Sequence, residues 1–448
     1  MVFLTDRISE EAGNLMYSFA RSGYDVQTVV SNYDGFLPDG IHSPYEFYVS
    51  GKTEPKPGLP RYFNQIELPD FWEIQSSTTS GEVHEYEDLR AKLFYADPKS
   101  ERHLKVIDWL DKSGKVRCSD HYDRFGRRFA QTILNKDQKM VHKTYYDICG
   151  REVITENLNT GDIILTDEGK NYFFRSKADF IAHYLLHSGL NTERLLFNSL
   201  ATPFFAAEKL QQTQSANNNA GTGNVLFWQE PVKEDIPGNM RSILDRNAAG
   251  VSVIAVQRQD AYKKIRELAV DQTRFRKLGF IYPILRENSG SRNALVFTNS
   301  DQIEKLTELA KSLPDVHFHI GALTEMSPKL LMMEMMSNVT LYPAIWEKTI
   351  NELWSKCDIY LDINQGGEIL EAVRTAFMNN QVIFAFGNTA HNRKFTETGN
   401  IFEPDSWQKM SARIRGILAD EEHVKEAVRS QRSFAHEVTE QDYRDVLG

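Results

Sequence analysis

The sequence predicts an α/β fold with two parallel-sheet domains and an antiparallel β-sheet inserted into the first of them. Short apolar strands alternate with helical patterns in two regions, a β-rich stretch interrupts the first, and 448 residues exceed one ordinary core. Strands alternating with helices indicate a parallel sheet covered by helices on both faces. The predicted boundaries are 1–45 plus 178–288 for the first domain, 46–177 for the insertion, 289–420 for the second domain and 421–448 for a C-terminal helix crossing back to the first.

The first domain begins with a strand, a helix and a second strand. Val2–Thr5 and Val26–Val30 are the predicted strands, and Ser9 is placed to cap the helix between them. The later strand candidates are Leu195–Phe197, Val225–Trp228, Val251–Val256 and Phe280–Pro283. The low-complexity segment 211–223 predicts a surface loop, and the polar segment 287–293 predicts an interdomain linker.

The insertion is rich in β-forming residues and contains a repeated turn signal. Asp or Asn recurs every 12 residues, at Asp111, Asp123, Asn135, Asp147 and Asn159. Such side chains bond the backbone that follows them, and the Gly found three residues after each of the three Asp supplies a positive φ, so the spacing predicts a β-meander. Calcium binding is the weaker alternative, because one carboxylate per turn cannot supply roughly 6–8 oxygen ligands. Since a long antiparallel sheet has edges that need covering, we interpret the insertion as an association surface.

The second domain repeats the alternation more regularly. Ser300 is placed to cap a helix that carries Ile303, Leu306, Leu309 and Leu313 on one side. The predicted strands are Ala294–Thr298, Val316–Ile320, Val339–Tyr342, Ile359–Ile363 and Val382–Phe386. Two such units are expected to bind ligands in a cleft between the carboxyl ends of their sheets.

Charge and cysteine content exclude several functional classes. A formal net charge of −10 and a pI near 5.7 argue against a general nucleic-acid binder. The three cysteines form no CxxC pair, so neither a disulfide framework nor a zinc cluster is indicated. The N-terminal residues lack the sequence pattern of a signal peptide, and no segment has the roughly 18 uninterrupted apolar residues of a membrane span. We therefore expect a cytoplasmic protein.

Histidine spacing gives two weak metal-site candidates. His183 and His187 are four residues apart but lack the glutamate of a zinc-protease motif, so a packed helix face is favoured. His317 and His319 alternate on a strand with no carboxylate or cysteine nearby. We expect no metal site and no cofactor.

The segment 357–374 joins an apolar strand to an amphipathic helix through a Gly-Gly turn. It resembles the donor-nucleotide loop of two-domain sugar-nucleotide glycosyltransferases, whose GT-B-like fold has two Rossmann-like domains. Retaining members carry two glutamates eight positions apart; Glu371 matches the second, but Ile363 stands at the first. The turn after the first strand, 6–11, is acidic and lacks glycine, and Lys305 is the only basic residue where a cationic pair would balance a diphosphate. We expect no catalytic residue in this chain.

The whole chain resembles the GtfB-type accessory subunit of the bacterial protein O-linked N-acetylglucosaminyltransferase that glycosylates serine-rich-repeat adhesins. The residues that carry the resemblance are 32–45, the β-rich insertion, 202–205 and the weakened loop 364–371. The resemblance implies a non-catalytic subunit that stabilises a homologous catalytic partner through the β-rich inserts and binds the adhesin acceptor. It also implies a peripheral position at the inner face of the cell membrane.

An extended, serine-rich acceptor offers few side-chain anchors, so its site is expected to use backbone-directed hydrogen bonds and aromatic platforms. The candidates at carboxyl ends of strands are Trp228, Gln229, Asn299, Tyr342, Asn364, Gln365, Gly366, Gly367 and Glu371. Trp228 has the alternative role of a core aromatic, and Glu371 that of pairing within its own helix. Two other functions stay open: an active retaining glycosyltransferase that uses UDP-N-acetylglucosamine in a rearranged donor site, and a lectin-like module.

Overall fold

A computed structural model describes residues 1–52, 58–216, 223–269 and 271–448 of the chain. These residues divide into two units, Met1–Lys277 with Leu447 and Leu278–Val446 with Gly448. The division comes earlier in the chain than the expected linker 287–293. That segment bonds within the second unit, where the Asp358 carboxylate accepts hydrogen bonds from the backbone N–H groups of Ser289 at 3.1 Å and Ser291 at 2.7 Å.

The first unit opens with the predicted strand, helix and strand. The helix begins after Ser9, whose Oγ accepts a hydrogen bond from the Ala12 backbone N–H at 3.2 Å. Glu10 and Glu11 occupy the first turn, where the helix dipole favours negative charge. The elements are β1 (Val2–Thr5), α1 (Glu10–Arg21), β2 (Gln27–Val30), β3 (Ile41–His42) and α2 (Pro44–Val49).

The insertion forms a ten-stranded antiparallel sheet in which each strand pairs with the next one along the chain. The predicted meander is confirmed. Its strands are β4 (Trp72–Ser76), β5 (Ser80–Glu85), β6 (Asp88–Tyr95), β7 (Leu104–Leu110), β8 (Val116–Tyr122), β9 (Arg128–Leu134), β10 (Met140–Tyr146), β11 (Glu152–Asn157), β12 (Ile163–Asp167) and β13 (Lys170–Phe174). The edges of this sheet are β4 and β13.

The repeated turns work as the side-chain chemistry predicts. At Asp111, Asp123, Asn135 and Asp147 the side-chain Oδ1 accepts backbone N–H bonds from the residues two and four positions ahead, at 2.8–3.1 Å. The predicted position of the fifth turn is wrong, because this turn begins at Asn157 and not at Asn159. Asn157 Oδ1 accepts from the Asn159 N–H at 3.0 Å, and its carbonyl accepts from the Gly161 N–H at 2.8 Å, so this turn is one residue longer.

After the insertion the chain completes the parallel sheet of the first unit. The elements are α3 (Lys177–His187), β14 (Leu195–Phe197), α4 (Thr202–Ala216), β15 (Asn224–Trp228), α5 (Gly238–Arg246), β16 (Val251–Val256), α6 (Gln259–Leu268) and β17 (Phe275–Lys277). The sheet has seven strands in the order β17-β16-β15-β14-β1-β2-β3. The predicted loop 211–223 overlaps the end of α4, and its residues 217–222 lie outside the described part. The predicted strand Phe280–Pro283 is wrong, because Phe280 forms only an isolated bridge with Glu437.

The second unit contains a parallel sheet and helices. Its elements are β18 (Asn293–Thr298), α7 (Leu306–Ser312), β19 (His317–Ala322), α8 (Pro328–Leu331), β20 (Val339–Tyr342), α9 (Glu347–Lys356), β21 (Ile359–Asp362), α10 (Ala372–Met378), β22 (Val382–Phe386), β23 (Ile401–Phe402), α11 (Trp407–Ile417), α12 (Glu421–Phe434) and α13 (Glu440–Leu447). The sheet has six strands in the order β20-β19-β18-β21-β22-β23. The predicted cap at Ser300 is wrong. Its Oγ accepts from the Gln302 N–H at 3.1 Å inside a loop, and α7 begins only after Lys305.

The sheets are built from buried apolar strands, as the sequence pattern predicts. Every residue of β1, β21 and β22 is buried.

Within the part of the chain that the structure describes, no helix has both the length and the apolar character needed to cross a lipid bilayer.

Candidate functional site

A polar cluster follows three neighbouring strands of the second unit, β18, β21 and β22. The strand order reverses between β18 and β21, and parallel α/β sheets bind ligands at the carboxyl edge of such a switch point. The loop after β21 contains the predicted residues Asn364, Gln365, Gly366 and Gly367. Asn299 follows β18, so the structure brings five of the nine predicted site residues to this edge.

Asn364 is the centre of this cluster and is almost completely buried. Its Oδ1 accepts hydrogen bonds from Thr298 Oγ1 at 2.9 Å and from the Gly366 N–H at 3.0 Å. Its Nδ2 donates to Asn299 Oδ1 at 3.1 Å and to the Gly367 carbonyl at 3.2 Å. These four bonds use both donors and both acceptor positions of the amide. Asn364 therefore orders the loop and keeps no hydrogen-bonding capacity for a ligand.

Gly366 is required by the close approach of Asn299. A Cβ atom at Gly366 would lie 1.9 Å from Asn299 Oδ1, whereas one at Gly367 would lie 3.9 Å from Asn299 Nδ2. We therefore expect Gly366→Ala to break the bond between Asn299 and Asn364 and to lower the free energy of unfolding by about 1–3 kcal/mol. Urea denaturation measures this loss.

The matched control is Gly367→Ala, which adds the same methyl group one residue away, where space is available. Its free energy of unfolding should stay within about 0.5 kcal/mol of the unmodified chain. Equal losses in both variants would contradict the role assigned to the Asn299 contact.

The loop before α7 covers the outer side of this cluster with a carboxylate. Glu304 Oε2 accepts hydrogen bonds from Gln365 Nε2 at 2.5 Å and from Asn388 Nδ2 at 3.0 Å. The Glu304 backbone N–H donates to the Ile363 carbonyl at 2.8 Å. Lys305 lies next in the chain, but its Nζ is directed toward Glu308 at 4.0 Å. A carboxylate thus occupies a position beside the loop where a diphosphate would need positive charge.

His391 bridges the end of β21 and the loop after it. Its Nδ1 lies 2.5 Å from Asp362 Oδ1, and its Nε2 lies 2.7 Å from the Gly366 carbonyl. Because both partners are acceptors, both ring nitrogens donate and the ring is an imidazolium. The hydrogen bond with buried Asp362 accordingly raises the pKa of His391 to about 9.

The sequence analysis missed His391 and Asp362. The available signal was positional: Asp362 is the last residue of a buried strand, and His391 follows the neighbouring strand β22. Polar residues at the ends of adjacent parallel strands meet at one edge.

The two positions of the glutamate pair have different environments. Ile363 is fully buried in the apolar core of the second unit. Glu371 stands just before α10 with a φ of +45°, and its side chain is 79% exposed and 3.6 Å from Arg374. The aliphatic side chain at the first position thus belongs to the core, where it offers no acceptor to a sugar hydroxyl.

The other predicted site residues make none of the hydrogen bonds described for this cluster. Trp228 and Gln229 belong to the first unit, where the Trp228 ring is buried in the core, the role left open for it as an alternative. Gln229 Oε1 accepts from Asn198 Nδ2 at 3.1 Å. Tyr342 ends β20, and its Oη is hydrogen bonded to His319 Nδ1 at 2.9 Å.

The histidine pairs are engaged with protein groups. His187 Nδ1 lies 2.7 Å from the His183 carbonyl, and burial lowers the pKa of His183. His317 Nε2 is bonded to Thr340 Oγ1 at 2.7 Å, and burial lowers the pKa of His319 to about 4. Among the described residues, no group of three or more His, Cys, Asp or Glu side chains is arranged to hold a metal ion.

Known proteins match the chain along almost its whole length. Family models match residues 2–48 (GtfB N-terminal domain), 72–175 (GtfB middle domain), 177–268 (GtfB third domain) and 294–431 (GftB/GlyA-F C-terminal domain). The UDP-N-acetylglucosamine–peptide N-acetylglucosaminyltransferase stabilizing protein GtfB of Streptococcus agalactiae is 40% identical over 100% of this chain and 99% of its own length. The chain belongs to the GtfB family. The resemblance seen in the sequence is confirmed.

Solved structures agree with this membership. A chain in the crystal structure of the GtfA/B complex bound to UDP and GlcNAc has a TM-score of 0.90 and 38% identity, covering 100% of this chain and 99% of that one. The pneumococcal O-GlcNAc transferase GtfA, crystallised with UDP and GlcNAc, has a TM-score of 0.57 at 12% identity over 100% of this chain and 98% of its own, which shows the fold alone. The predicted fold class, α/β and GT-B-like with an antiparallel insertion, is confirmed for this GtfB family member.

Proposed function

We propose that this chain is the non-catalytic subunit that stabilises a homologous peptide O-GlcNAc transferase and holds the serine-rich adhesin acceptor while the first N-acetylglucosamine is attached. The observation that carries this proposal is Ile363, an apolar core residue at the position where retaining enzymes carry a glutamate. Membership of a family whose relatives are named stabilizing proteins supports it. No cofactor is needed for such a role.

The acceptor would contact the carboxyl edge of the second sheet, at the loop 364–367 and Asn299. The amide groups of this loop support the proposal, since an extended polar chain is recognised through hydrogen bonds rather than through apolar anchors. Asn364 acts by holding the loop. Gln365 Oε1 and the Gly367 backbone N–H, which the bonds within the cluster do not use, would provide the contacts. We place the complex in the cytoplasm, at the inner face of the cell membrane.

The deciding experiment is calorimetric titration of the chain, once with UDP-N-acetylglucosamine and once with an unglycosylated serine-rich-repeat peptide. We expect heat of binding with the peptide and none with the nucleotide sugar. Binding of the nucleotide sugar in the micromolar range would instead support the alternative function, an active retaining transferase with a rearranged donor site. An absence of peptide binding would contradict the acceptor-holding role.

The insertion would be the surface that associates with the catalytic partner. Ile164 of β12 and Phe173 of the edge strand β13 are directly paired, and their side chains are 44% and 61% exposed. Exposed apolar pairs beside an unpaired sheet edge are typical of association surfaces. This observation supports an interface that includes the β12–β13 edge.

We expect the double substitution Ile164→Glu and Phe173→Glu to weaken binding of the catalytic partner at least tenfold, about 1.4 kcal/mol. Two negative charges would then replace apolar side chains that the complex buries. Surface plasmon resonance against the purified partner measures the change. Gln408→Glu, on the exposed surface of α11, adds negative charge outside the insertion and should leave the affinity unchanged. Unchanged affinity in the double variant would move the interface away from this edge.

A further inference from the structure

A polar pocket of about 420 Å³ lies at the carboxyl end of β3, an edge strand of the first unit's parallel sheet. Its walls come from the segment 39–52, from the hairpin turn that contains Arg124 and from the end of α3. The carboxyl ends of parallel strands are where α/β folds bind ligands. Residues 39–43 of this wall belong to the stretch 32–45, which has no role in the second unit's site.

The hairpin turn at Asp123 holds Arg124 firmly in this wall. Asp123 is fully buried, and the Arg124 backbone N–H donates to the Gly35 carbonyl at 2.9 Å. Gly35 has a φ of +88°, and a Cβ atom there would lie 2.7 Å from the Tyr122 carbonyl oxygen. This contact needs glycine, because any side chain would push the turn away. The sister turn at Asp111 is exposed by comparison.

The Arg124 guanidinium has one occupied and one unoccupied donor side. Its Nη1 lies 2.6 Å from Asp39 Oδ1. Its Nε is buried and has no hydrogen-bond partner among the residues that the structure describes. Because water cannot reach Nε, a ligand in the pocket would bond instead to Nη2, for which the structure describes no hydrogen-bond partner.

Glu46 supplies an acceptor in the same pocket. Burial raises the pKa of its carboxyl, nearby Arg124 lowers it and Asp123 raises it again, with a net increase. The Tyr33 hydroxyl approaches Glu46 Oε1 only at 3.5 Å, so the carboxyl is weakly bonded within the protein. The pocket therefore contains a donor and an acceptor that are both incompletely used.

The lining of the pocket supplies no excess of positive charge. It contains the acids Asp39 and Glu46 and the bases Arg124 and Lys52. Lys52 is already paired outside the pocket lining, with Asp167 at 2.8 Å and Glu168 at 2.9 Å. A nucleotide or another anion would gain no net attraction here. An uncharged group that accepts from Arg124 and donates to Glu46 fits, and hydroxyl and secondary amide groups do both.

We propose that this pocket is a second ligand site of the chain, which binds an uncharged group carrying hydroxyl and amide functions between Arg124 and Glu46. Phe47 and Tyr184 in its wall provide aromatic surface for the apolar side of such a ligand. This inference rests on the proposed function. The ligand is either a serine-containing stretch of the acceptor or an N-acetylhexosamine already attached to the acceptor. The two share the chemistry that the pocket recognises.

The test is saturation-transfer difference NMR on the full chain with two small probes, N-acetylserine amide and N-acetylglucosamine. We expect a signal from at least one probe, a loss of at least tenfold in its affinity in Arg124→Ala and a loss of about fivefold in Glu46→Gln. Lys112→Ala is the matched control, since it removes a cation from the same position of the exposed sister turn and should bind as the unmodified chain does. Thermal unfolding of each variant shows that it is folded.

The outcomes separate this inference from the proposed function. The absence of any probe signal, or signals that persist in both pocket variants, would overturn the second site, and the pocket would then hold only water. Peptide binding that is insensitive to Arg124→Ala, found together with no Arg124-dependent signal from either probe, would leave the acceptor-holding role intact and overturn the inference. A probe signal that depends on Arg124 would support the inference even if the long peptide fails to bind. The probe that binds identifies which of the two sources supplies the ligand.

Discussion

Replacing Ile363 with glutamate, which restores the residue type of retaining transferases, is expected to lower the free energy of unfolding by about 3–5 kcal/mol and to restore no sugar transfer. Ile363 is fully buried in the apolar core of the second unit, so the new carboxylate would lie among aliphatic side chains without a partner. Donor binding would still lack positive charge, because Glu304 occupies the edge beside the loop and Lys305 is directed toward Glu308. Urea denaturation and titration with UDP-N-acetylglucosamine measure the two effects.

Ile363→Val is the control for packing alone. Loss of one methylene group from the same position should cost about 0.5–1.5 kcal/mol, well below the loss expected for glutamate. If Ile363→Glu were as stable as Ile363→Val and bound the nucleotide sugar, the donor site would be intact apart from this residue. The interpretation of Ile363 as a core residue that excludes donor chemistry would then be wrong.

Local sequence patterns predicted the strands and hairpins well because their causes are local. Apolar runs such as Val382–Phe386 were placed correctly, and Asp123 bonds its own turn as its side-chain chemistry requires. The errors arose where tertiary contacts override local preference. Ser300 is a suitable helix cap, but α7 starts later because Glu304 and Gln302 pair instead with the loop after β21.

The candidate site was predicted only in part for the same reason. The loop 364–367 was found because its Gly-Gly sequence follows an apolar strand directly. The partner that holds it, His391, is 29 residues away from Asp362 in the chain, and the two meet only because β21 and β22 are neighbours. Trp228 followed the same end-of-strand rule, yet its ring is buried in the core, which the rule alone does not reveal.

Substitution of His391 with alanine is expected to lower the free energy of unfolding by about 2–4 kcal/mol, because it leaves the buried Asp362 carboxylate without its charged partner. It also releases the Gly366 carbonyl and therefore loosens the loop after β21. His423→Ala is the matched control, since His423 also pairs with an aspartate, Asp420 at 2.8 Å, but on the surface. That variant should lose no more than about 0.5 kcal/mol. Urea denaturation at a pH of about 6 measures the free energy of unfolding of the unmodified chain and of both variants.

The contribution of His391 should also depend on pH in a direction set by its raised pKa. The folded chain holds the proton up to a pKa of about 9, whereas the unfolded chain releases it near the ordinary value of about 6.5. The stabilisation is therefore complete below about pH 6.5, falls as the pH rises and is lost above about pH 9. Allowing for partial exposure of the ring, the loss is about 1–2 kcal/mol. Unfolding measured from about pH 6 to about pH 10 should show this decline in the unmodified chain and a smaller one in His391→Ala. Equal declines in both would mean that another group titrates and that the imidazolium does not hold the loop.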